Sequence, residues 1–381
     1  MSAWSYANIW ESVAAALPDQ PAFIQGDAVL SWRDFDAKAN GIAAALLAAG
    51  LGQQAKVASY TQNCAEYLTA YYAAFKAGMV PFNVNYRYGP EEIAYLLDNA
   101  DAEAVVFEAG YASVIEPVRA KLPGVKLWIA IARDGAPVPA WAVDYAAIAP
   151  RAEQVIAPWG RSGEDMMFIY TGGTTGMPKG VMWRTGDLLG LSDYGANPLA
   201  GVPPLSSPEE AGPRAAAAPI RPRAMIGPPL MHGTGMLTAM AALVAGGTVL
   251  LLPQGAFSAA QLWDIVATYK ATRITIVGQP FAQPLLEVLD ANPGRWDLSS
   301  VMMMTSSGAM WARENKLGLI RHMPQITLVD AFSSSEALGL GSSMMTATEE
   351  VATAAFTLGP NCALFTEDGR RVEPGSPERG R

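Results

Sequence analysis

Short apolar runs alternate along this chain with longer amphipathic segments, and that period constrains the fold more than any single residue does. Runs of strand character fall at 55–60, 79–82, 104–107 and 127–132, with helix-like segments at 64–77, 90–99 and 112–121 between them. An earlier amphipathic segment, 32–49, stops at Gly50 in the manner of a helix C-terminus. Beyond residue 166 the alternation resumes, with strand-like 224–227, 248–252, 273–277, 300–305 and 326–329 separated by helix-like 236–245, 259–269 and 280–290. Strands that alternate with helices in this way predict β-α-β units and largely parallel pairing. The expected fold class is α/β, with two stacked, doubly wound, mostly parallel sheets flanked by helices. The first is expected over residues 1–165, the second over 166–360, and the start of a β-rich subdomain over 361–381. Residues 195–223, with Pro, Ala, Ser and Gly and no hydrophobic period, read as a long surface excursion. No fixed-period repeat is present, which sets solenoids aside.

Composition narrows the classes of partner. A length of 381 residues favours two or three domains, and 51% hydrophobic residues suffice for large cores. The net charge is −9 and no basic run exists beyond the sparse Arg214, Arg221 and Arg223, which argues against nucleic acid. An anionic ligand must therefore be met by local features against a mildly repelling field. The two cysteines, Cys64 and Cys362, lie far apart and outside any C-x-x-C pattern, as expected of reduced thiols in a cytoplasm. Neither a signal peptide nor an apolar stretch of about 18 residues is present, so secretion and membrane spanning are not expected. With His232 and His322 the only histidines, a histidine metal cluster or catalytic triad would have to use one of them.

Residues 170–180, Tyr-Thr-Gly-Gly-Thr-Thr-Gly-Met-Pro-Lys-Gly, follow the apolar run 166–169 and combine glycines, threonine hydroxyls and a lysine. Glycine frees successive backbone N–H groups to line an anion site, hydroxyls add neutral donors, and Lys179 supplies a point charge. The pattern is not the G-x-x-x-x-G-K-[ST] loop of NTPases, because Pro178 precedes the lysine and Gly180 follows it. Pro178 also biases Met177 away from helical dihedrals. A phosphate loop between two strands is expected; the alternative is a flexible Gly/Thr hairpin tip, which needs neither the threonines nor the Pro-Lys-Gly exit.

Residues 171–180 resemble T-x-G-T-T-G-x-P-K-G, the signature of the adenylate-forming (AMP-binding) superfamily of acyl-CoA synthetases, nonribosomal adenylation domains and luciferases. The resemblance implies that Thr171, Gly172, Gly173, Thr174, Thr175, Gly176 and Lys179 hold the β- and γ-phosphates of ATP, with Thr171 also reaching the metal. Phe332-Ser333-Ser334-Ser335-Glu336 looks like the family's Y-G-x-T-E motif. By that resemblance Glu336 coordinates Mg2+, Ser335 replaces threonine at the α-phosphate, Phe332 stacks on adenine, and Ser333 stands where the family has glycine. A serine-rich turn with Glu336 capping a following helix is the competing reading. Ser306-Ser307-Gly308-Ala309 resembles the G-G-A stretch, which implies that Ser307, Gly308 and Ala309 border the adenine, where small residues let a flat base approach. Asp330 and Ala331 adjoin it, with Asp330 placed to accept from the adenine amino group. Residues 229–235 resemble P-L-x-H-x-x-G, which implies that His232 lines the acyl pocket; the alternative is a packed core histidine. Met302, Met303, Met304, Met344 and Met345 suit either an adaptable apolar tunnel or ordinary core. His322 has no motif around it.

The resemblance implies an ATP-dependent acid–thiol ligase of the acyl-CoA synthetase type, which activates a hydrophobic carboxylic acid as acyl-AMP, releases pyrophosphate and transfers the acyl group to coenzyme A. The implied catalytic set is Lys179, Thr171, Ser335, Glu336 and His232, with ATP, Mg2+ and coenzyme A as cofactors. An adenylation domain loading a carrier protein and a non-catalytic nucleotide-binding module are the alternatives. Similar ligases continue with a ribose-binding aspartate, a hinge and a small C-terminal domain carrying a catalytic lysine. Because the chain stops after a β-like start at 362–365, nucleotide and acid binding with little complete turnover is expected of it. Pairing into a homodimer through surface loops is a further expectation.

Overall fold

The strand-like runs build two sheets, and helices separate them. The computed structural model describes residues 4–172, 176–196, 201–348, 355–359, 362–373 and 376–378. In chain order, α1 (Tyr6–Ala16) precedes the hairpin β1 (Pro21–Gln25) and β2 (Ala28–Ser31), and α2 (Trp32–Ala48) follows directly. Ser5 and Ser31 cap these helices, accepting from the N–H groups of Ala7 and Asp34 at 3.2 and 3.1 Å. Next come β3 (Lys56–Tyr60), α3 (Ala65–Lys76), β4 (Val80–Asn83), α4 (Pro90–Asn99), β5 (Ala102–Glu108), α5 (Ala112–Ile115), β6 (Leu127–Ile131), β7 (Val143–Asp144), β8 (Met166–Thr171) and β9 (Lys179–Arg184). After α6 (Thr185–Leu191) and α7 (Ala211–Ala217) follow β10 (Arg223–Ile226), α8 (Gly233–Val244), β11 (Thr248–Leu251), α9 (Ala259–Thr268), β12 (Arg273–Ile276) and α10 (Gly278–Ala291). The last elements are β13 (Met303–Ser307), α11 (Arg313–His322), β14 (Thr327–Phe332), β15 (Gly341–Met345) and β16 (Thr357–Leu358).

A seven-stranded sheet runs β7-β6-β5-β3-β4-β8-β9, and a nine-stranded sheet runs β16-β15-β14-β13-β12-β10-β11-β1-β2. Pairing is parallel from β7 to β8 and from β14 to β1; the edges β9, β15, β16 and β2 are antiparallel. The sheets are not contiguous in sequence, because β1 and β2 join the second and β8 and β9 close the first, so a division at residue 165 does not coincide with the division between sheets. Of residues 361–381 the structure describes 362–373 and 376–378, where Phe365 and Arg371 form an antiparallel bridge.

Each strand divides its apolar side chains between two faces. Val57 of β3, Met167 and Ile169 of β8, Ile226 of β10 and Val249 of β11 join Trp10, Phe35, Tyr72 and Met236 in one core, so α1, α2, α3 and α8 lie between the sheets. Tyr60 and Phe168 face α4 outside the first sheet, while Met225, Leu250 and Ile274 face α9, α10 and α11 outside the second. The central layer also buries Lys76, whose ammonium is 2.5 Å from Glu11 and 2.8 Å from Asp36. This pins α1, α2 and α3 to one another, since an unpaired ammonium there would be strongly destabilising.

Two segments depart from expectation. Helix α5 ends at Ile115 and continues as a 3-10 turn over Glu116–Lys121, where Pro117 removes an amide donor. The 195–223 excursion contains α7, which packs on α1: Ser12 Oγ donates to the Glu209 carbonyl at 2.7 Å and accepts from the Gly212 N–H at 3.0 Å. Leu205, Ala211 and Ala215 are buried there, so tertiary contact supplies the order that a hydrophobic period does not. Residues 197–200 of the excursion lie outside the described residues.

Polar ties join the carboxyl ends of the two sheets. Glu108, buried at the end of β5, accepts from the Gln62 N–H and from the Gln254 side chain beyond β11, both at 2.8 Å. Burial raises its pKa above the ordinary glutamate value. The folded chain therefore holds this proton more tightly than the unfolded chain. That preference stabilises the fold at acid pH and is lost as pH rises through the folded pKa. Glu108→Gln keeps the accepting oxygen and does not titrate. Its melting temperature should rise relative to the parent chain as pH goes from 4 toward 8, read by thermal unfolding at each pH; parallel curves would refute the assignment.

Candidate active site

The hairpin β8–β9 frames the glycine-rich loop, which therefore lies between two strands rather than ahead of a helix. Thr171 pairs with Lys179 and Tyr170 with Gly180. Gly180 is required by close approach, because a Cβ there would lie 2.8 Å from the Tyr170 ring. By the two-residue period of strands, Thr171 and Lys179 share the face that carries Met167, Ile169 and Trp183, which is the face turned to the space between the sheets. Lys179 is exposed and has no ion pair among the described residues. Gly172 lies beside Tyr88, whose hydroxyl is 3.5 Å from where a Cβ on that glycine would sit. Gly173, Thr174 and Thr175 lie outside the described residues.

Asn83, at the end of β4, fixes this hairpin. Its Oδ1 accepts from the Tyr170 N–H at 2.7 Å, and its Nδ2 donates to the carbonyls of Tyr170 at 2.8 Å and Met231 at 2.7 Å. Asn63 does the same one segment away, donating to the Pro228 carbonyl at 3.1 Å and accepting from the Leu230 N–H at 2.7 Å. Residues 228–231 are thus tied to the first sheet although they follow β10 of the second, and His232 is placed at the N-cap of α8. The His232 ring reaches solvent, yet the protein around it and the Arg87 guanidinium lower its pKa from the ordinary imidazole value. The positive end of α8 acts in the same direction. A packed core histidine is not what the structure holds.

The remaining motifs meet His232 from the second sheet. Ser306 and Ser307 lie within β13 rather than after it, beside Asp330 and Ala331 of β14. Gly308 follows at φ +90°, and Thr234 Oγ1 is 3.9 Å from its Cβ position, so the turn faces the start of α8. Ala309 packs on the start of α10, where the Gly278 N–H donates to Ser306 Oγ at 2.9 Å. Asp330 is ion-paired to Lys316 of α11, and both are largely buried. Phe332 is 54% exposed, with its ring centroid 5.5 Å from that of Phe356. Beyond it Ser333 Oγ accepts from the Gly339 N–H at 3.0 Å and Ser334 Oγ from the Ala337 N–H at 3.1 Å, a serine-braced turn. No helix follows this turn for Glu336 to cap; its carboxylate is exposed and has no partner among the described residues.

One bond joins this turn to the hairpin: the Trp183 indole donates to the Ser335 carbonyl at 2.8 Å. The hairpin tip, Asn83, the 228–234 segment, Gly308 and β14 therefore meet at the carboxyl ends of the strands, the side on which open α/β sheets place ligands, and the Ser335–Glu336 turn closes this circuit of contacts through Trp183, four residues along β9 from Lys179. Asn83, Asn63 and Trp183 were not found from sequence; a polar residue ending an apolar run was the available signal for Asn83. The methionines form no common lining: Met304 and Met345 are buried in the outer core, while Met302 and Met344 are 52% and 46% exposed. His322 bonds Asp290 at 2.7 Å on the outer surface.

Among the described residues no group of three or more acidic, histidine or cysteine side chains gathers to hold a metal by itself. The unpaired Glu336 carboxylate and the Thr171 hydroxyl suit a hard cation that brings most of its oxygen ligands with it. No helix of the described residues is long and apolar enough to cross a membrane.

Replacing Asn83 by Ala strands one buried N–H and two carbonyls. It should cost at least about 3 kcal/mol, and Asp, which turns a carboxylate toward both carbonyls, at least as much; a chemical-denaturation midpoint unchanged by either would contradict the clamp. In NMR titrations the His232 ring should protonate below the ordinary histidine range, with His322→Ala separating the two signals; an ordinary titration midpoint for His232 would remove its desolvation.

Residues 10–380 match the family described as AMP-binding enzyme. The medium-chain acyl-CoA ligase Mig of Mycobacterium avium is 33% identical over 394 residues, covering 99% of this chain and 70% of that protein. The medium/long-chain-fatty-acid–CoA/3-oxocholest-4-en-26-oate–CoA ligase of Mycolicibacterium smegmatis is 33% identical over 388 residues, covering 99% and 69%. The anthranilate CoA ligase AuaEII, solved with anthranoyl-AMP, superposes with a TM-score of 0.80 at 18% identity, covering 98% of this chain and 68% of that one, and shares the fold. The hairpin that pairs Thr171 with Lys179, tied through Trp183 to the Ser335–Glu336 turn, sits in a chain that belongs to the AMP-binding enzyme family.

Proposed function

We propose that the chain carries the acid-activating machinery of an ATP-dependent acyl-CoA ligase. The convergence of the hairpin face bearing Thr171 and Lys179 with the Ser335–Glu336 turn, joined through Trp183, carries this reading. A carboxylate is a poor acyl donor because its leaving group is oxide. In the proposed reaction a carboxylate oxygen attacks the α-phosphorus of ATP, the bond from that phosphorus to the bridging oxygen breaks, and pyrophosphate leaves with the electron pair. The thiol of coenzyme A then attacks the acyl carbon of the acyl-AMP and loses its proton as AMP departs. The first step brings two anions to one phosphorus, so its barrier falls with positioning and charge neutralisation.

Thr171, Gly172, Gly176 and Lys179, with Gly173, Thr174 and Thr175 in the same loop, hold the outer phosphates. Ser335 reaches the α-phosphate, and Glu336 with Thr171 holds Mg2+. That ion, when bound, offsets charge on the phosphates and the departing pyrophosphate. Ser307, Gly308, Ala309 and Ala331 border the adenine, with Phe332 over its face and Asp330 fixed by Lys316 at its edge. The neutral His232 imidazole offers an N–H to the acid without adding a fixed charge. A hydrophobic acid, of medium or long chain or sterol-derived, is supported by the names of the similar ligases. A cytoplasmic setting belongs to the same proposal and is supported by two unpaired thiols, Cys64 and Cys362.

Calorimetry with Mg2+ and ATP, followed by a series of non-hydrolysable acyl-AMP analogues, tests this. ATP should bind, Glu336→Gln should weaken Mg2+-dependent binding about tenfold or more, and fatty or sterol acyl analogues should bind more tightly than aminoacyl ones. Equal binding by aminoacyl analogues would favour a carrier-protein adenylation domain. Mg2+-dependent ATP binding indifferent to Glu336 would leave only a non-catalytic nucleotide-binding module.

A further inference from the structure

We propose that Trp183 is a positioning residue for the metal-bound phosphates: the bond from its indole N–H to the Ser335 carbonyl sets the reach of Glu336 from the glycine-rich hairpin. The proposal rests on the preceding reading of the site. Trp183 shares its face of β9 with Lys179 and pairs with Met167, which lies in the core between the sheets. One side of a single strand therefore carries the phosphate-binding charge at its start and the anchor for the metal-binding turn near its end. The turn itself is braced internally by Ser333 and Ser334, and the bond at Ser335 is adjacent in the chain to Glu336.

The rest of the neighbourhood makes this tie consequential. Trp183 is half-buried against the central core, whereas Met182 and Arg184 on the opposite face are exposed. The indole is therefore held by packing on one side and spends its donor on a backbone carbonyl, a contact that phenylalanine would keep in shape and lose in hydrogen bonding. Lys179 and Glu336 both lack ion-pair partners among the described residues. Their separation is then governed by the scaffold rather than by mutual attraction, and phosphates held at Lys179 would share a cation with Glu336 only where the scaffold brings the carboxylate within reach.

The test is Trp183→Phe in the 381-residue chain, with ATP titrated calorimetrically in the presence of Mg2+ and again with a chelator. The variant should bind ATP about tenfold more weakly with Mg2+, and as the parent chain does without it. In the double variant with Glu336→Gln the two losses should not add, because both act through one carboxylate. Mg2+-dependent affinity equal to the parent's, or equal losses with and without Mg2+, would overturn the proposal while leaving the site's reading intact. If the parent chain itself binds no ATP with Mg2+, the reading of the site fails first. Should the phenylalanine variant fold poorly, Trp183→His keeps a ring N–H. In the parent chain the 15N indole resonance lost in either variant should shift with Mg2+ and ATP together; a shift equal with ATP and chelator would also refute the role.

Discussion

Asn83 makes three hydrogen bonds from one buried side chain, to both backbone groups of Tyr170 and to the Met231 carbonyl. Much of the site depends on that arrangement. Tyr170 opens the glycine-rich loop in the seven-stranded sheet, and Met231 precedes His232 at the head of α8, which packs on the nine-stranded sheet. An amide is suited to the place because it donates and accepts at once, whereas a carboxylate or a hydroxyl serves only part of the demand. Asn63 repeats the device on Pro228 and Leu230, and Gln25 links Asn63 to the end of β11 by donating to the carbonyls of Asn63 and Leu252 at 2.7 and 2.8 Å.

The circuit closes on the far side through Trp183. Two sheets separated by a helical layer have no ladder bonds in common, so their relative placement at the ligand end falls to side chains. Asparagine amides hold the segment leading to His232, the Glu108–Gln254 bond holds the flank, and the indole holds the Ser335–Glu336 turn to the hairpin. The central layer resists sliding because Lys76 is paired to helices α1 and α2 at once, and separating those charges within the core is costly.

The alternation that announced the fold was legible because parallel strands buried on both faces are short continuous apolar runs; β3, β5, β6, β10 and β11 fall where those runs do. Elements whose partners are remote were less legible. Strand β1 pairs Phe23 with Val249, and nothing local to residues 21–25 reveals that partner. The apolar run at 301–304 drew the expected strand too early, because register with β12 and β14 carries β13 onward through the polar Ser306 and Ser307. In the site, glycines, Lys179 and Glu336 were conspicuous as residues expensive to place without purpose. Asn83 and Trp183 were not, since a terminal asparagine and a strand tryptophan take their meaning from a chain segment far away in sequence.

The two ends of the circuit differ in how complete they are without a ligand. On the side proposed to take adenine the charges are already matched: Lys316, with its ammonium 5.5 Å from the Trp311 ring, holds Asp330 in a largely buried pair, so those groups are fixed by the fold itself. On the side proposed to take the phosphates Lys179 and Glu336 stand exposed and unpaired among the described residues, in a chain of net charge −9. A neutral base gains from a rigid, preorganised edge, because its binding energy is small and easily lost to ordering. Under the proposed function a tetra-anionic tail with its cation would supply the missing partners itself, and leaving those two charges open keeps their full interaction for such a ligand.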